Sequence, residues 1–136
     1  MKIYFSGSIS GGRGDQALYL EIITLLKTYG EVLTEFIGDG TLTHMGITAL
    51  APVEIYTKDT NWLKECDVVV AEITTPSLGV GYEIAYAEML GKKVIGIYRQ
   101  LPDKRISAMI TGNEYVQCFA YTDVKELPEI FDGVLK

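Results

Sequence analysis

Cysteine and histidine, on which many catalytic and metal sites depend, are scarce in this chain. Its 136 residues include two cysteines, Cys66 and Cys118, which are far apart and lack CxxC spacing. We therefore expect reduced core residues rather than a disulfide or a zinc pair. The single histidine, His44, lies in a Gly- and Thr-rich segment and is expected to be an exposed loop residue. Histidine-based catalysis or metal binding would depend on that one side chain, so we predict no metal site and no cofactor.

Positive charge is also in short supply. Twelve Lys and Arg residues oppose 18 Asp and Glu, which gives a formal net charge of -6. This balance argues against a nucleic acid polymer as partner, because surfaces that track phosphates need clustered cations. The charge balance does not exclude a small phosphorylated ligand, since a helix N-terminus and a few backbone N–H groups can bind it.

Long hydrophobic runs are absent as well. No apolar stretch approaches the length of a membrane span, so we predict no membrane association. Met1 to Phe5 leads directly into Gly and Ser rather than into a long apolar region. We therefore expect no signal peptide and a cytoplasmic location.

The chain instead shows a regular alternation of strand and helix patterns, and its length fits one compact domain over residues 1–136. The pattern predicts an α/β fold: a single doubly wound domain with a five-stranded parallel sheet in the flavodoxin/Rossmann-like order 2-1-3-4-5. The predicted strands are Lys2 to Ser6, Glu31 to Phe36, Val68 to Ile73, Lys93 to Tyr98 and Tyr115 to Tyr121. The predicted helices are about Asp15 to Tyr29, Pro52 to Cys66, Gly79 to Leu90, Arg105 to Thr111 and Val124 to Leu135.

In that strand order two loops face each other across one crevice, residues 7–14 and residues 74–81. The first loop, GSISGGRG, follows a strand and opens a helix, and its glycines allow close approach to backbone N–H groups. An anion site and a simple tight turn both fit this composition. Arg13 favours the anion, because a helix N-terminus otherwise disfavours a cation.

Two carboxyl groups stand out near this crevice. Glu83 is expected in the first turn of its helix, where the macrodipole stabilises an acid and would also keep it ionised as a nucleophile. Asp59 falls on the apolar stripe of the helix predicted from Pro52. Either a helix begins at Asp59 and this residue caps it, or Asp59 is a carboxyl group whose surroundings raise its pKa. A pair of such acids in one crevice is the arrangement that enzymes use to cleave glycosidic bonds. Tyr4, Tyr19 and Tyr82 are expected either in the core or beside a base.

Four segments of the chain resemble a known family, the 2′-deoxynucleoside 5′-phosphate N-hydrolases of the nucleoside 2-deoxyribosyltransferase superfamily. They follow one another in the same order as in the family and cover nearly the whole chain: YFSGSISGGRGDQALY from Tyr4, VLTEF from Val32, KDTNWLKECDVVVAEITTPSLGVGYEIAYA from Lys58 and RISAMI from Arg105. The TPSLGVGYE block is the most specific part of the resemblance.

The resemblance implies hydrolysis of the N-glycosidic bond of deoxynucleoside monophosphates to a free base and 2-deoxyribose 5-phosphate. Glu83 would be the nucleophile that forms a deoxyribosyl-enzyme intermediate, Asp59 would orient the sugar or protonate the leaving base, and Tyr4 would lie at the sugar. Ser107 would come from the neighbouring subunit, which implies a homodimer. The implied phosphate-binding residues are Gly7, Ser8, Ile9, Ser10, Gly11, Gly12, Arg13, Ser77, Gly79 and Ser107.

Two positions depart from the family pattern. Ser10 stands where the family has an Arg, which removes a charge-assisted contact of roughly 1.5–3 kcal/mol if that Arg meets phosphate. Arg13 and Arg105 are the candidates to replace it. Phe36 stands where a basic or polar residue is usual and would shift base preference toward stacking. The alternatives to hydrolysis are base exchange by a nucleoside 2-deoxyribosyltransferase and a nucleotide-binding module without catalysis.

Overall fold

The computed structural model describes residues 1–8, 15–34 and 51–136. Within them, five parallel strands form one sheet in the order β2-β1-β3-β4-β5, which confirms the predicted topology. The strands are β1 (Lys2–Ser6), β2 (Glu31–Val32), β3 (Val68–Glu72), β4 (Lys93–Arg99) and β5 (Gln117–Tyr121).

Helices connect these strands and cover both faces of the sheet. They are α1 (Gln16–Leu26), α2 (Pro52–Glu65), α3 (Leu78–Met89), the one-turn α4 (Ala108–Thr111) and α5 (Leu127–Leu135), which follows a short 3-10 segment (Val124–Glu126). No helix among the described residues is long and apolar enough to cross a bilayer.

The central strand β3 explains why the sheet is parallel and covered on both faces. All five of its residues are buried, and the first four form a continuous run of Val and Ala that is typical of a strand at a sheet centre. Val70 belongs to the core that α1 and α5 cover, whereas Val69 belongs to the core under α2 and α3. Tyr4 on β1 pairs in register with Val69 and shares that second core, so its side chain points toward α2 and α3.

Two predicted boundaries differ in ways that matter for the site. The strand predicted over Glu31 to Phe36 ends at Val32 and is followed by a turn, and its last two residues lie outside the described ranges. The helix predicted from Gly79 begins at Leu78, because the hydroxyl of Ser77 accepts a hydrogen bond from the Val80 amide at 3.3 Å and caps it. The first turn of α3 consequently contains no acidic residue, so the placement of Glu83 there was wrong.

The cysteine prediction is confirmed where the structure can test it. Cys66 is buried, Cys118 is half-buried, and both are unpaired thiols. His44 lies outside the described residues.

Candidate active site

A cavity of about 420 Å³ opens between α2 and α3 at the carboxyl end of β1. Its lining brings together the predicted catalytic residues Tyr4, Asp59 and Glu83. Gly7, Ser77 and Gly79, predicted to bind phosphate, line the same cavity. The crevice inferred from strand order therefore exists and gathers six of the predicted site residues.

Glu83 reaches back from the second turn of α3 to side chains on β1. The Tyr4 hydroxyl donates to one of its carboxylate oxygens, Oε2, and the Ser6 hydroxyl donates to the other at 2.9 Å. Tyr4 and Ser6 are two residues apart on one strand, so they present their side chains to the same face of the sheet. Together they fix both oxygens of the carboxylate.

Ser6 is the site residue that sequence reasoning missed. It lies fully buried at the end of β1, where the sequence pattern predicts only the last residue of a strand. The signal that could have found it is its spacing of two from Tyr4, which places both hydroxyls on one face.

The environment raises the pKa of Glu83 to about 7. Burial is the main cause, since it disfavours the charged form, and the nearby charge of Asp59 acts in the same direction. The hydrogen bonds from Tyr4 and Ser6 act in the opposite direction because they stabilise the carboxylate. The expectation that the helix dipole keeps Glu83 ionised was thus wrong: burial dominates, and the carboxyl titrates near neutral pH.

Asp59 lies in the middle of α2 rather than at a helix start, so the capping alternative is excluded. Burial raises its pKa to about 6, and the adjacent Lys58 lowers it in part. The second alternative, a carboxyl tuned by its surroundings, is the one that the structure supports. Tyr4 stays protonated beside these acids, because burial and then the charges of Glu83 and Asp59 raise the pKa of its hydroxyl.

The start of the glycine-rich loop packs tightly at the carboxyl end of β1. A Cβ atom on Gly7 would stand 3.0 Å from the ring of Tyr19, so only glycine fits without a shift of that ring. The next residue, Ser8, is buried, and its amide donates to the Tyr19 hydroxyl at 3.2 Å. Ile9, Ser10, Gly11, Gly12 and Arg13 lie outside the described residues.

The capping role of Ser77 leaves its hydroxyl able to donate a hydrogen bond to a ligand. Its oxygen accepts from Val80 N, and a hydroxyl that accepts can still donate its own proton. Gly79 follows in the first turn of α3, in the wall of the same cavity. This geometry suits an anion at the start of a helix.

Two predicted site residues among those described do not line the Glu83 cavity: Ser8, whose amide donates to Tyr19, and Ser107. Ser107 caps α4, where its oxygen accepts from Met109 N at 3.2 Å. It lines a second cavity of about 560 Å³, which lies against the other flank of α3 and also contains Arg105. Within one copy of the chain, neither side chain lines the Glu83 cavity.

The fold and site define a class of protein: a doubly wound α/β protein with two tuned carboxyl groups in one cavity, equipped for chemistry at a glycosidic bond. Residues 3–115 match the family model for nucleoside 2-deoxyribosyltransferase. The chain belongs to this family.

Similar proteins include N-hydrolases from vertebrates. The chain is 50% identical to the 5-hydroxymethyl-dUMP N-hydrolase of Rattus norvegicus over 111 residues, 81% of this chain and 68% of that protein. It is 41% identical to the protein of the same name from Esox lucius over 144 residues, 100% of this chain and 99% of that one. A solved structure of a Clostridium botulinum CMP N-glycosidase superimposes with a TM-score of 0.69 at 20% identity, covering 99% of this chain and 100% of that one, which supports the fold.

Proposed function

We propose that the protein hydrolyses the N-glycosidic bond of 2′-deoxynucleoside 5′-monophosphates and releases a free base and 2-deoxyribose 5-phosphate. The observation that carries this proposal is the Glu83 carboxylate, held at both oxygens by Tyr4 and Ser6, in one cavity with Asp59. Family membership and relatives named as 5-hydroxymethyl-dUMP N-hydrolases support the same reaction class.

The ionised form of Glu83 is the nucleophile. One of its carboxylate oxygens forms a bond to C1′ of the deoxyribose, and the C1′–N bond breaks with its electron pair leaving on the base. Water then attacks C1′, gives a proton to solvent or to a nearby carboxylate, and releases Glu83. Two displacements at the same carbon give net retention of configuration. The two hydrogen bonds from β1 aim the carboxylate and stabilise its charged form.

Asp59 has two roles that fit its position. An ionised carboxylate would accept a hydrogen bond from a sugar hydroxyl, and a protonated carboxyl would donate to the departing base. A pKa of about 6 makes both forms accessible near neutral pH. The pH dependence of kcat/KM in variants of each residue separates the contributions of the two acids.

The 5′-phosphate is proposed to bind where the glycine-rich loop meets the start of α3. Gly7, Ser8, Ser77 and Gly79 would contribute from the described residues, together with residues 9–13. Two of these are glycines and two are hydroxyl residues next to backbone N–H groups, which is the kind of surface that binds phosphate without a cluster of cations.

We further propose a homodimer in which Ser107 completes the phosphate site of the neighbouring copy. Its support is an uncovered apolar surface around the second cavity, where Leu78 is 96% and Met109 is 82% exposed. Isolated exposed hydrophobic residues are common, but two large ones beside an apolar cavity support an interaction surface at this place. The cytoplasmic location stays a prediction from the sequence.

Met109→Glu tests the dimer. Sedimentation velocity should show dimer for the parent and monomer for this variant, with a loss of phosphate-dependent activity. Leu20→Glu is the control, because Leu20 is 45% exposed on α1, which packs against the other core of the sheet. A parent that sediments as a monomer while fully active would contradict the proposal.

The activity itself is tested by chromatography of each deoxynucleoside monophosphate and each matching deoxynucleoside, with and without an acceptor base. We expect base release from monophosphates and a loss of roughly 10³-fold or more in kcat for Glu83→Gln. Glu21→Gln, an exposed position on α1, should behave like the parent. Base exchange that exceeds release would favour the transferase, and tight binding without turnover would favour a nucleotide-binding module.

A further inference from the structure

Two exposed tyrosines line the active-site cavity and have no role in the proposed reaction. Tyr56 on α2 is 51% exposed and Tyr82 on α3 is 55% exposed, and both belong to the lining that contains Glu83 and Asp59. The sequence leaves two alternatives for Tyr82, and its exposure excludes burial in the core. Large aromatic side chains exposed at the edge of a cavity are typical of ligand contacts rather than of packing.

The two rings belong to a cluster of three tyrosines that bridges α2 and α3. The ring centroids of Tyr56 and Tyr82 are 6.2 Å apart with 64° between the planes, which is an edge contact. Tyr86, one turn further along α3, stacks on Tyr82 with 6.2 Å between the centroids and 28° between the planes. Aromatic pairs in these geometries attract each other. The cluster therefore orients the exposed rings before a ligand arrives, which lowers the entropic cost of binding.

The stereochemistry of the proposed reaction directs the nucleobase toward this cluster. Glu83 is held at the buried end of the cavity by Tyr4 and Ser6 on β1. A nucleophile and its leaving group lie on opposite sides of the carbon under attack, so the base lies on the side of C1′ away from Glu83. Asp59, which is proposed to donate to the departing base, lines the cavity three residues after Tyr56, on the same face of α2. The base is thus expected at the exposed end of the cavity.

The side chains at this end suit the flat face of a base. Pro52 and Ile55 of α2 line the cavity beside Tyr56 and Tyr82, so the described surface here is aliphatic and aromatic. Every nucleobase has a π-face that stacks on an aromatic ring. We infer that Tyr56 and Tyr82 form the base-binding surface of the active site and hold the nucleobase by stacking. The inference rests on the proposed function for the position of the base.

Ligands with and without a base test this inference. Tyr56→Ala and Tyr82→Ala should each raise KM for deoxynucleoside monophosphates about tenfold and keep kcat within about threefold, because stacking contributes to binding of the substrate. 2-Deoxyribose 5-phosphate has the sugar and the phosphate but no base, so its inhibition constant should stay within about twofold. Equal losses for both ligands would show a distorted cavity and overturn the inference.

Phenylalanine variants separate the ring from the hydroxyl. Tyr56→Phe and Tyr82→Phe keep the stacking surface, so KM for the monophosphates should stay within about twofold of the parent. A loss as large as that of the alanine variants would overturn the assignment to stacking. Met89→Ala is the control, because Met89 is exposed on α3 and lines neither of the two cavities.

Folding of the alanine variants is checked by circular dichroism. Alanine is a strong helix former, and both tyrosines lie at exposed helical positions, so we expect these variants to fold. If one does not fold, leucine at the same position replaces it, since leucine fills space without a flat aromatic face. The leucine variant should also raise KM for the monophosphates and leave the inhibition constant of 2-deoxyribose 5-phosphate unchanged.

Calorimetric titration in the Glu83→Gln background gives a readout that does not need turnover. Adding Tyr56→Ala to this background should weaken binding of a deoxynucleoside monophosphate about tenfold and leave 2-deoxyribose 5-phosphate within about twofold. If binding follows this pattern but the parent releases no base, the proposed hydrolase is refuted and this inference stands. If the parent releases base but monophosphate binding does not depend on the two rings, the inference is refuted and the hydrolase stands.

Discussion

Glu83→Gln should abolish activity and at the same time make the folded protein more stable at alkaline pH. Burial raises the pKa of Glu83 from 4.5 to about 7 in the folded protein. Between these two values the folded state holds a proton that the unfolded chain has lost, so the stability of the parent falls as pH rises through this window. A glutamine carries no charge, and the variant escapes this loss.

The expected size follows from the shift in pKa. Each unit corresponds to about 1.4 kcal/mol, so the shift from 4.5 to about 7 destabilises the parent by up to about 3 kcal/mol at pH 8. At pH 5 most of the carboxyl is protonated in the folded state, and the destabilisation falls to about 1 kcal/mol. The Gln amide can still accept from one hydroxyl and donate to the other, so the contacts with Tyr4 and Ser6 need not be lost.

Urea denaturation followed by circular dichroism at pH 5 and pH 8 provides the measurement. The free energy of unfolding of Glu83→Gln should exceed that of the parent by about 1–3 kcal/mol at pH 8 and by clearly less at pH 5. Glu21→Gln, exposed on α1, should stay within about 0.5 kcal/mol of the parent at both values. A variant that is no more stable than the parent at pH 8, or that gains as much at pH 5, would refute the argument from burial.

Two further predictions concern the pH dependence of kcat/KM, which should rise with pH through about 7 as Glu83 ionises. Tyr4→Phe and Ser6→Ala each remove a hydrogen-bond donor that stabilises the Glu83 carboxylate. Each should therefore shift the rise of kcat/KM to higher pH by about half a unit or more. An unchanged pH profile would contradict the assigned hydrogen bonds. Asp59→Asn should lower kcat/KM roughly 10²-fold but keep its rise near pH 7. If the rise near pH 7 disappears in this variant, the rise does not reflect the ionisation of Glu83.

The strand order and the position of the crevice were predictable because they follow from local patterns and general rules of chain topology. The run from Val68 to Ala71 is apolar at every position, which predicts a strand covered on both faces, and alternation with helices then fixes a parallel sheet. Once the order 2-1-3-4-5 is known, the loops after β1 and β3 must be neighbours. Glu83, Gly7 and Ser77 meet in one cavity for this reason.

The ionisation of the site could not be predicted from sequence. Whether Glu83 is charged depends on how deeply α2 and β1 bury it, which is a property of long-range packing, whereas the dipole of its own helix is a local feature. The contribution of Ser6 likewise depends on which face of β1 meets α3. The separation of Ser107 from Glu83 within one copy follows from the position of α4 beside the far flank of α3.

The most direct test of the proposed mechanism is to trap the bond between Glu83 and the sugar. A 2′-fluoro-arabino deoxynucleotide suits this purpose, because its fluorine destabilises the positively charged transition state and slows hydrolysis of the intermediate. Intact-protein and peptide mass spectrometry should show one fluorodeoxyribose phosphate per chain, attached to Glu83 and absent from Glu83→Gln. Stoichiometric release of base with no adduct, or an adduct on another residue, would contradict the account.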